Sequence, residues 1–191
     1  DSIVSADDIR TAGSGDVVIE SFAGSISLND ADSDGRGISV ANGDVLVRSA
    51  TRITIDADIS STAGDIALIA TGDVLQNADV HAGGDLIVSS QSDIVMGNNA
   101  TTRADGGELI YRAVGDINLG LVEAMNVNLD AGADINDSRN GILANVIATN
   151  LAMRAGSEIG DESPSDTARE NTRAIDTRVS NLAAQAADGI Y

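Results

Sequence analysis

One spacing constrains this chain more than any other feature. A short motif, a small residue followed by Asp and then aliphatics at alternate positions, occurs in pairs about eight residues apart along almost the whole length. It is clearest in GDIALIATGDVLQNADVHAGGDLIV, residues 64–88, where the motif starts at Asp65, Asp73 and Asp85. Aliphatics at i and i+2 are the signature of a strand with one buried face. Gly before Asp reads as a turn, because Gly accepts positive φ and an Asp carboxylate can accept a hydrogen bond from the backbone two residues on. Each motif is therefore a turn followed by one short strand.

The pairing extends as follows. First strands (A) begin after Asp16, Asp44, Asp65, Asp85, Glu108, Asn126, Asn150 and Asn181. Second strands (B) begin after Ser25, Arg52, Asp73, Asp93, Asp116, Asp134, Glu158 and Gly189. The A-to-B step is eight residues except for a first step of nine, whereas successive A strands lie 28, 21, 20, 23, 18, 24 and 31 residues apart. A constant short arm beside a variable long arm describes a solenoid with one fixed corner and insertions projecting elsewhere. A weaker third strand (C) fits the long arm at Ile9, Ile38 to Val40, Ile59, Val80, Leu121 to Val122, Ile142 to Val146 and Ile175.

This predicts an all-β fold, a right-handed parallel β-helix (a single-stranded β-solenoid) of about eight rungs, each of three short strands. With rungs about 4.8 Å apart it is a rod of roughly 40 Å. The alternation turns Val45, Val47, Ile53, Ile55, Ile66, Leu68, Leu86 and Val88 inward, with Leu109 and Tyr111 further along. Gln76 and Asp137 occupy inward positions, so their strands are expected to turn outward early. Residues 1–191 read as one β-helix segment of a longer protein, with insertions at 29–37, 137–149 and 161–172. The last, DESPSDTARENT, reads as a surface excursion with room for a short helix after Ser165.

Composition narrows the function. The net charge is −19, from 30 acids against 11 cations, and every cation is Arg. So acidic a surface repels phosphate backbones and anionic lipid, which argues against nucleic-acid partners and membrane attachment. No apolar run approaches the ~18 residues needed to span a bilayer, so direct membrane insertion is not expected. A cysteine-free acidic solenoid suits an extracellular setting.

The phrases AGDIAL-A-GDVLQ and GGDL-V-S--DI-M, carried by 64–68, 72–76, 84–88, 92–96 and 115–119, resemble the β-helical shafts of filamentous-haemagglutinin-type large exoproteins of bacteria. The likeness runs from Ile9 to Tyr191. It implies a secreted or cell-surface adhesin segment whose shaft spaces or presents other modules. Its partners would be adjacent repeats or domains of the same chain, with a cell-surface or glycan ligand.

Three features are candidate sites. The insertion Asp30-Ala-Asp32-Ser-Asp34-Gly35-Arg36 has the D-x-D-x-D-G form of a calcium loop, in which alternating carboxylates and the carbonyl of Arg36 converge on Ca²⁺. Its twelfth position is Ala41, so the bidentate Glu of an EF-hand is missing and a further carboxylate has to come from a neighbouring rung. The alternative is a solvated acidic turn. Asp65, Asp73, Asp85 and Asp93 recur at equivalent corners and read as turn caps, or as a ladder that gathers divalent ions. Finally, the outward A positions Val18, Leu46, Ala67, Ile87 and Ile110 form an apolar stripe, either a partner contact or a consequence of β-propensity.

Catalysis finds little support. His81 is the only His, expected in a surface turn, and Tyr111, Tyr191 and Phe22 are the only aromatics, too few for a sugar-stacking cleft. The expectation is a non-catalytic structural or adhesive segment stabilised by calcium. The alternatives are a ligand- or glycan-binding module using the loop edge, and a polysaccharide lyase or hydrolase.

Overall fold

Aliphatics at alternate positions lose water only if another winding covers them, and the structure stacks them so. In this computed structural model, residues 4–7, 9–139, 143–160 and 174–191 are described. The A row runs in Cα register from Val17 through Val45, Ile66, Leu86 and Leu109 to Val127. The B row runs likewise from Ile26 through Ile53, Val74, Ile94 and Ile117 to Ile135. All strand pairs are parallel, and each of these side chains is buried. Full burial of one such aliphatic contributes about 1.5–3 kcal/mol, so no winding is stable without neighbours.

The chain visits three faces in the order C, A, B. The B face is a nine-stranded sheet. The A and C faces are joined, because from Thr101–Ala113 onward their strands are continuous through Leu121–Ala131, Val146–Ala155 and Thr177–Gln185. The parallel windings stack as a β-solenoid, as expected, but not every rung consists of three separate strands. Only the first four windings keep C and A as separate strands. There Ala41-Asn42-Gly43 or Thr62-Ala63-Gly64 interrupts the strand at the corner, whereas Asp105-Gly106-Gly107 is crossed as a bulge and Met125 and Thr149 are one-residue corners.

Insertions leave from the corner between B and C. One lies between Ile26–Asn29 and Arg36–Val40, another between Ile135–Asp137 and Val146–Ala155, so the second ends earlier than the expected residue 149. The third, with the helix expected after Ser165, lies outside the described residues, as does Ile142. Val146 is buried in its C strand, but Ile175 precedes the strand that begins at Thr177. One C strand escaped the sequence reading: in 101–104 the inward residues are Thr102 and Ala104, too small or polar to mark a core.

Two corner residues do something other than expected. Positive φ occurs, among the described residues, only at Ser33, Gly35 and Gly160. The corner glycines need no unusual backbone; they need the absence of a side chain. A Cβ on Gly64 would overlap the carbonyl oxygen of Gly43 one winding below, and one on Gly115 would overlap the Asp93 carboxylate. The Asp after each glycine bonds not two residues on but to the next winding. Asp44 N–H donates to Asp16 Oδ1 at 2.9 Å, Asp65 N–H to Asp44 at 2.9 Å, Asp85 N–H to Asp65 at 2.7 Å and Glu108 N–H to Asp85 at 2.8 Å. At these bends a side-chain carboxylate, and not a backbone carbonyl, is the acceptor for that N–H.

Gln76 is also corrected. It does not turn outward but is 1% exposed. Its Oε1 accepts hydrogen bonds from Thr102 Oγ1 at 2.9 Å and Tyr111 Oη at 3.0 Å, and its amide donates to the carbonyls of Ala78 and Thr101 at 3.0 and 3.2 Å. One side chain from each face thus closes a polar triangle inside an otherwise aliphatic column. Burial pushes the Tyr111 phenol pKa up, so it stays neutral as a donor.

Candidate functional site

The acidic insertion turns on itself because each short carboxylate captures nearby amides. Asp30 Oδ1 accepts from the N–H of Ser33 at 2.7 Å and of Asp34 at 3.2 Å, and its Oδ2 accepts from Gly35 at 2.7 Å. Asp32 Oδ1 takes the Asp34 N–H at 3.1 Å, and Asp34 Oδ1 takes that of Arg36 at 2.9 Å. The N–H of Gly35, then those of Ser33 and Asp34, hold the Asp30 carboxyl below its usual pKa. One oxygen from each of Asp30, Asp32 and Asp34 lies within 4.8 Å of the others, close enough to share a cation.

Among the described residues, the side chain that reaches this cluster from the winding below is a cation and not a carboxylate. Arg10, on the C strand below, pairs with Asp34 Oδ2. Arg36 begins the next strand, its guanidinium 4.0 Å from the same oxygen. The loop thus has the convergence a Ca²⁺ ion needs, while two guanidiniums neutralise part of the charge that would draw it.

The A-face stripe is one straight row: Val18, Leu46, Ala67, Ile87 and Ile110 are successive Cα partners. Val18 is 61% and Ile87 37% exposed, and the others are half-buried by their neighbours. The row continues as Asn128, Ala152 and Ala183. Beside it the corner positions change from carboxylates to amides, where Asn150 donates to Asn126 Oδ1 and Asn181 to Asn150 Oδ1, both at 2.7 Å.

The remaining carboxylates are mostly structural. On the B corner, Asp116 N–H donates to Asp93, Asp134 to Asp116 and Glu158 to Asp134 at 2.9–3.0 Å. Asp73 is held below its usual pKa by the Ser92 hydroxyl and by Arg52, which donates to it at 2.9 Å. The corner aspartates therefore cap windings, as the turn-cap reading expected, though across the stack and not within one turn.

His81 lies on the strand Val80–Ala82, not in a turn, and its Nε2 is 2.8 Å from Asp105 Oδ2. His81, with Arg103, lowers the Asp105 pKa. Ser60 is the Cα partner of His81 one winding below, but its hydroxyl is directed at the Ile38 carbonyl, 3.5 Å away.

One cluster went unseen in the sequence. Asn145, fully buried, donates to Asp137 Oδ1 at 2.6 Å and to the Leu119 carbonyl at 3.0 Å, while its Oδ1 accepts the Asp176 N–H at 3.0 Å. Burial raises the Asp137 pKa, and the nearby Asp176 charge raises it further. Asp137 Oδ2 is buried without a hydrogen-bond partner. Only the unexpected polar residue at 137 could have signalled this.

No known protein family, curated protein or solved structure matches the chain. Among the described residues, no helix is long and apolar enough to cross a membrane.

Proposed function

We propose that this chain is a length of non-catalytic structural and adhesive shaft from a large secreted or cell-surface bacterial adhesin, stiffened by Ca²⁺ at the acidic insertion. One observation carries the reading: the aliphatic rows that start at Val17 and Ile26 continue from winding to winding without a break, while the insertions leave one corner. That is how a spacer with a decorated edge is built. The same edge favours one alternative, a module that binds a cell-surface or glycan ligand through the loops. Replacing residues 30–35 and 138–145 by short turns separates the two. The shaft reading expects unchanged binding of the immobilised chain to cells and glycan arrays, and loop-dependent binding would overturn it. Incubation with pectin, alginate and other uronides is expected to release no unsaturated product; its appearance would make the chain a lyase.

The calcium reading has its own test. Calorimetric titration of chelator-stripped protein with CaCl₂ is expected to give heat and a raised melting temperature, both lost in Asp30→Ala/Asp34→Ala. Arg10→Gln, which frees Asp34 Oδ2, is expected to tighten binding. Absence of heat in both the wild type and Arg10→Gln would leave a self-capped acidic turn.

A further inference from the structure

We infer that the A face is a self-association surface that pairs two copies of this chain side by side, with their long axes parallel. The inference rests on the three outward rows of that face and is independent of the adhesin reading. The middle row is the apolar stripe from Val18 to Ile110. On one side stands the corner row, Asp16, Asp44, Asp65, Asp85 and Glu108. On the other stands Glu20, Arg48, Ile69, Ser89 and Arg112, whose members are also successive Cα partners.

Two such faces can be laid together with twofold symmetry in two ways. A twofold axis along the strands makes the rods antiparallel and sets each corner row against its own copy, acid on acid. A twofold axis along the rod keeps the windings level and exchanges the outer rows. Asp44 then faces the second copy's Arg48, and Glu108 faces its Arg112. Each contact occurs twice, giving four Arg–carboxylate pairs around two apolar stripes that meet at the centre. Like charges meet only where Asp16 faces Glu20, and Glu20 is already 3.6 Å from its own Arg48. Charge complementarity thus selects both the occupant and the parallel orientation.

The register of the A strands keeps the face regular over these windings, as close sheet-on-sheet packing at about 10 Å requires. Five windings about 4.8 Å apart and five residues at about 3.3 Å each cover roughly 400 Å² per copy. That is below the standard interface of roughly 800 Å² per partner, so the pairing is weak and concentration-dependent.

Sedimentation velocity on the 191-residue chain in about 0.15 M NaCl, with folding of each variant checked by circular dichroism, tests the inference. A monomer–dimer equilibrium is expected in the wild type, with the dimer lost in Leu46→Glu/Ile87→Glu. Arg112→Glu sets two acids against each other and is expected to weaken the dimer at least tenfold. Combining it with Glu108→Arg restores opposite charges across the twofold and is expected to bring the dimer back. Residues 108 and 112 are four positions apart on one extended strand, too far to rescue one another within a copy. A wild type that stays monomeric at the highest soluble concentration would overturn the inference. So would failure of the charge exchange to restore pairing, or association abolished by Leu182→Glu but untouched by Leu46→Glu/Ile87→Glu.

Discussion

Replacing Asp65 by Asn separates the two roles a corner carboxylate plays. Asp65 stacks between Asp44 and Asp85, accepting the Asp85 N–H at 2.7 Å while donating its own N–H to Asp44 at 2.9 Å. Neighbouring charges about 4.8 Å apart repel by about 0.9 kcal/mol in water, so two neighbours cost roughly 1.7 kcal/mol at low ionic strength. Asn removes that repulsion and keeps an oxygen for the Asp85 N–H, but it exchanges a charge-assisted bond for a neutral one and loses about 1 kcal/mol. The two effects nearly balance, and salt decides the sign. In 1 M NaCl, where the screening length is about 3 Å, roughly four-fifths of the repulsion is gone. The stability of Asp65→Asn relative to wild type is therefore expected to be slightly positive in about 10 mM salt and to fall by about 1.3 kcal/mol by 1 M. For a chain of this size that is a relative shift of about 3–5 °C in melting temperature by calorimetry or circular dichroism. Asp65→Ala, which has no acceptor, should lie a further 0.5–1.5 kcal/mol or so below Asn at every salt concentration. If Asn and Ala melted together, or the Asn effect ignored salt, the cross-winding cap would not be what Asp65 contributes.

Gly64→Ala is expected to destabilise by about 1–3 kcal/mol through overlap with Gly43, whereas Gly15→Ala, whose Cβ would meet nothing within 4 Å, should change the urea midpoint little; equal effects would refute the steric account. Gln76→Leu leaves the Thr102 and Tyr111 hydroxyls only each other and should cost about 1–3 kcal/mol, while adding Thr102→Val and Tyr111→Phe should recover much of it in denaturant titration. For Asp137, burial raises the folded-state pKa, so its contribution to stability is full below the unfolded carboxylate range and lost as pH rises through the raised value. Asp137→Asn is accordingly expected to melt above wild type at neutral pH, with the gap closing on acidification, and a gap constant with pH would show that no such titration exists.

The parts of this fold legible in the sequence are those that obey a local rule. Strand alternation is local, so the A and B rows from Val17 to Ile135 could be placed residue by residue, including the inward Tyr111. What could not be seen depends on a residue some twenty positions away. Gly64 looks like a turn glycine until Gly43 is set beneath it, and Gln76 looks like an interruption until Thr102 and Tyr111 arrive from the other faces. The acidic loop was legible as three converging aspartates, but Arg10 was not, because nothing local to Ile9-Arg10-Thr11 points to a partner on the winding above. The stripe was legible because its members share one position in the repeat. The Asn145 cluster was not, since it falls in an insertion where the repeat gives no register.

The charge of the chain follows from the same construction. Among the described residues ten aspartates, 16, 44, 65 and 85 on the A corner, 73, 93, 116 and 134 on the B corner, and 58 and 79 on the C corner, accept a backbone N–H from the next winding. They supply a third of the 30 acidic residues, so a strongly negative rod is what this corner chemistry produces with no cation involved. Asp suits the role because its carboxylate is one bond from Cβ and lies directly over the adjacent winding. The A and B runs end at Glu108 and Glu158, whose backbone N–H groups donate to the last aspartate of each run. Beyond Glu108 the A corner continues with asparagines, whose amides donate as well as accept and can stack without mutual repulsion. A surplus of Asp in such a repeat is therefore weak grounds for metal binding. The loop at Asp30, Asp32 and Asp34 stands apart because its carboxylates converge on one point outside the stack instead of each capping the winding above.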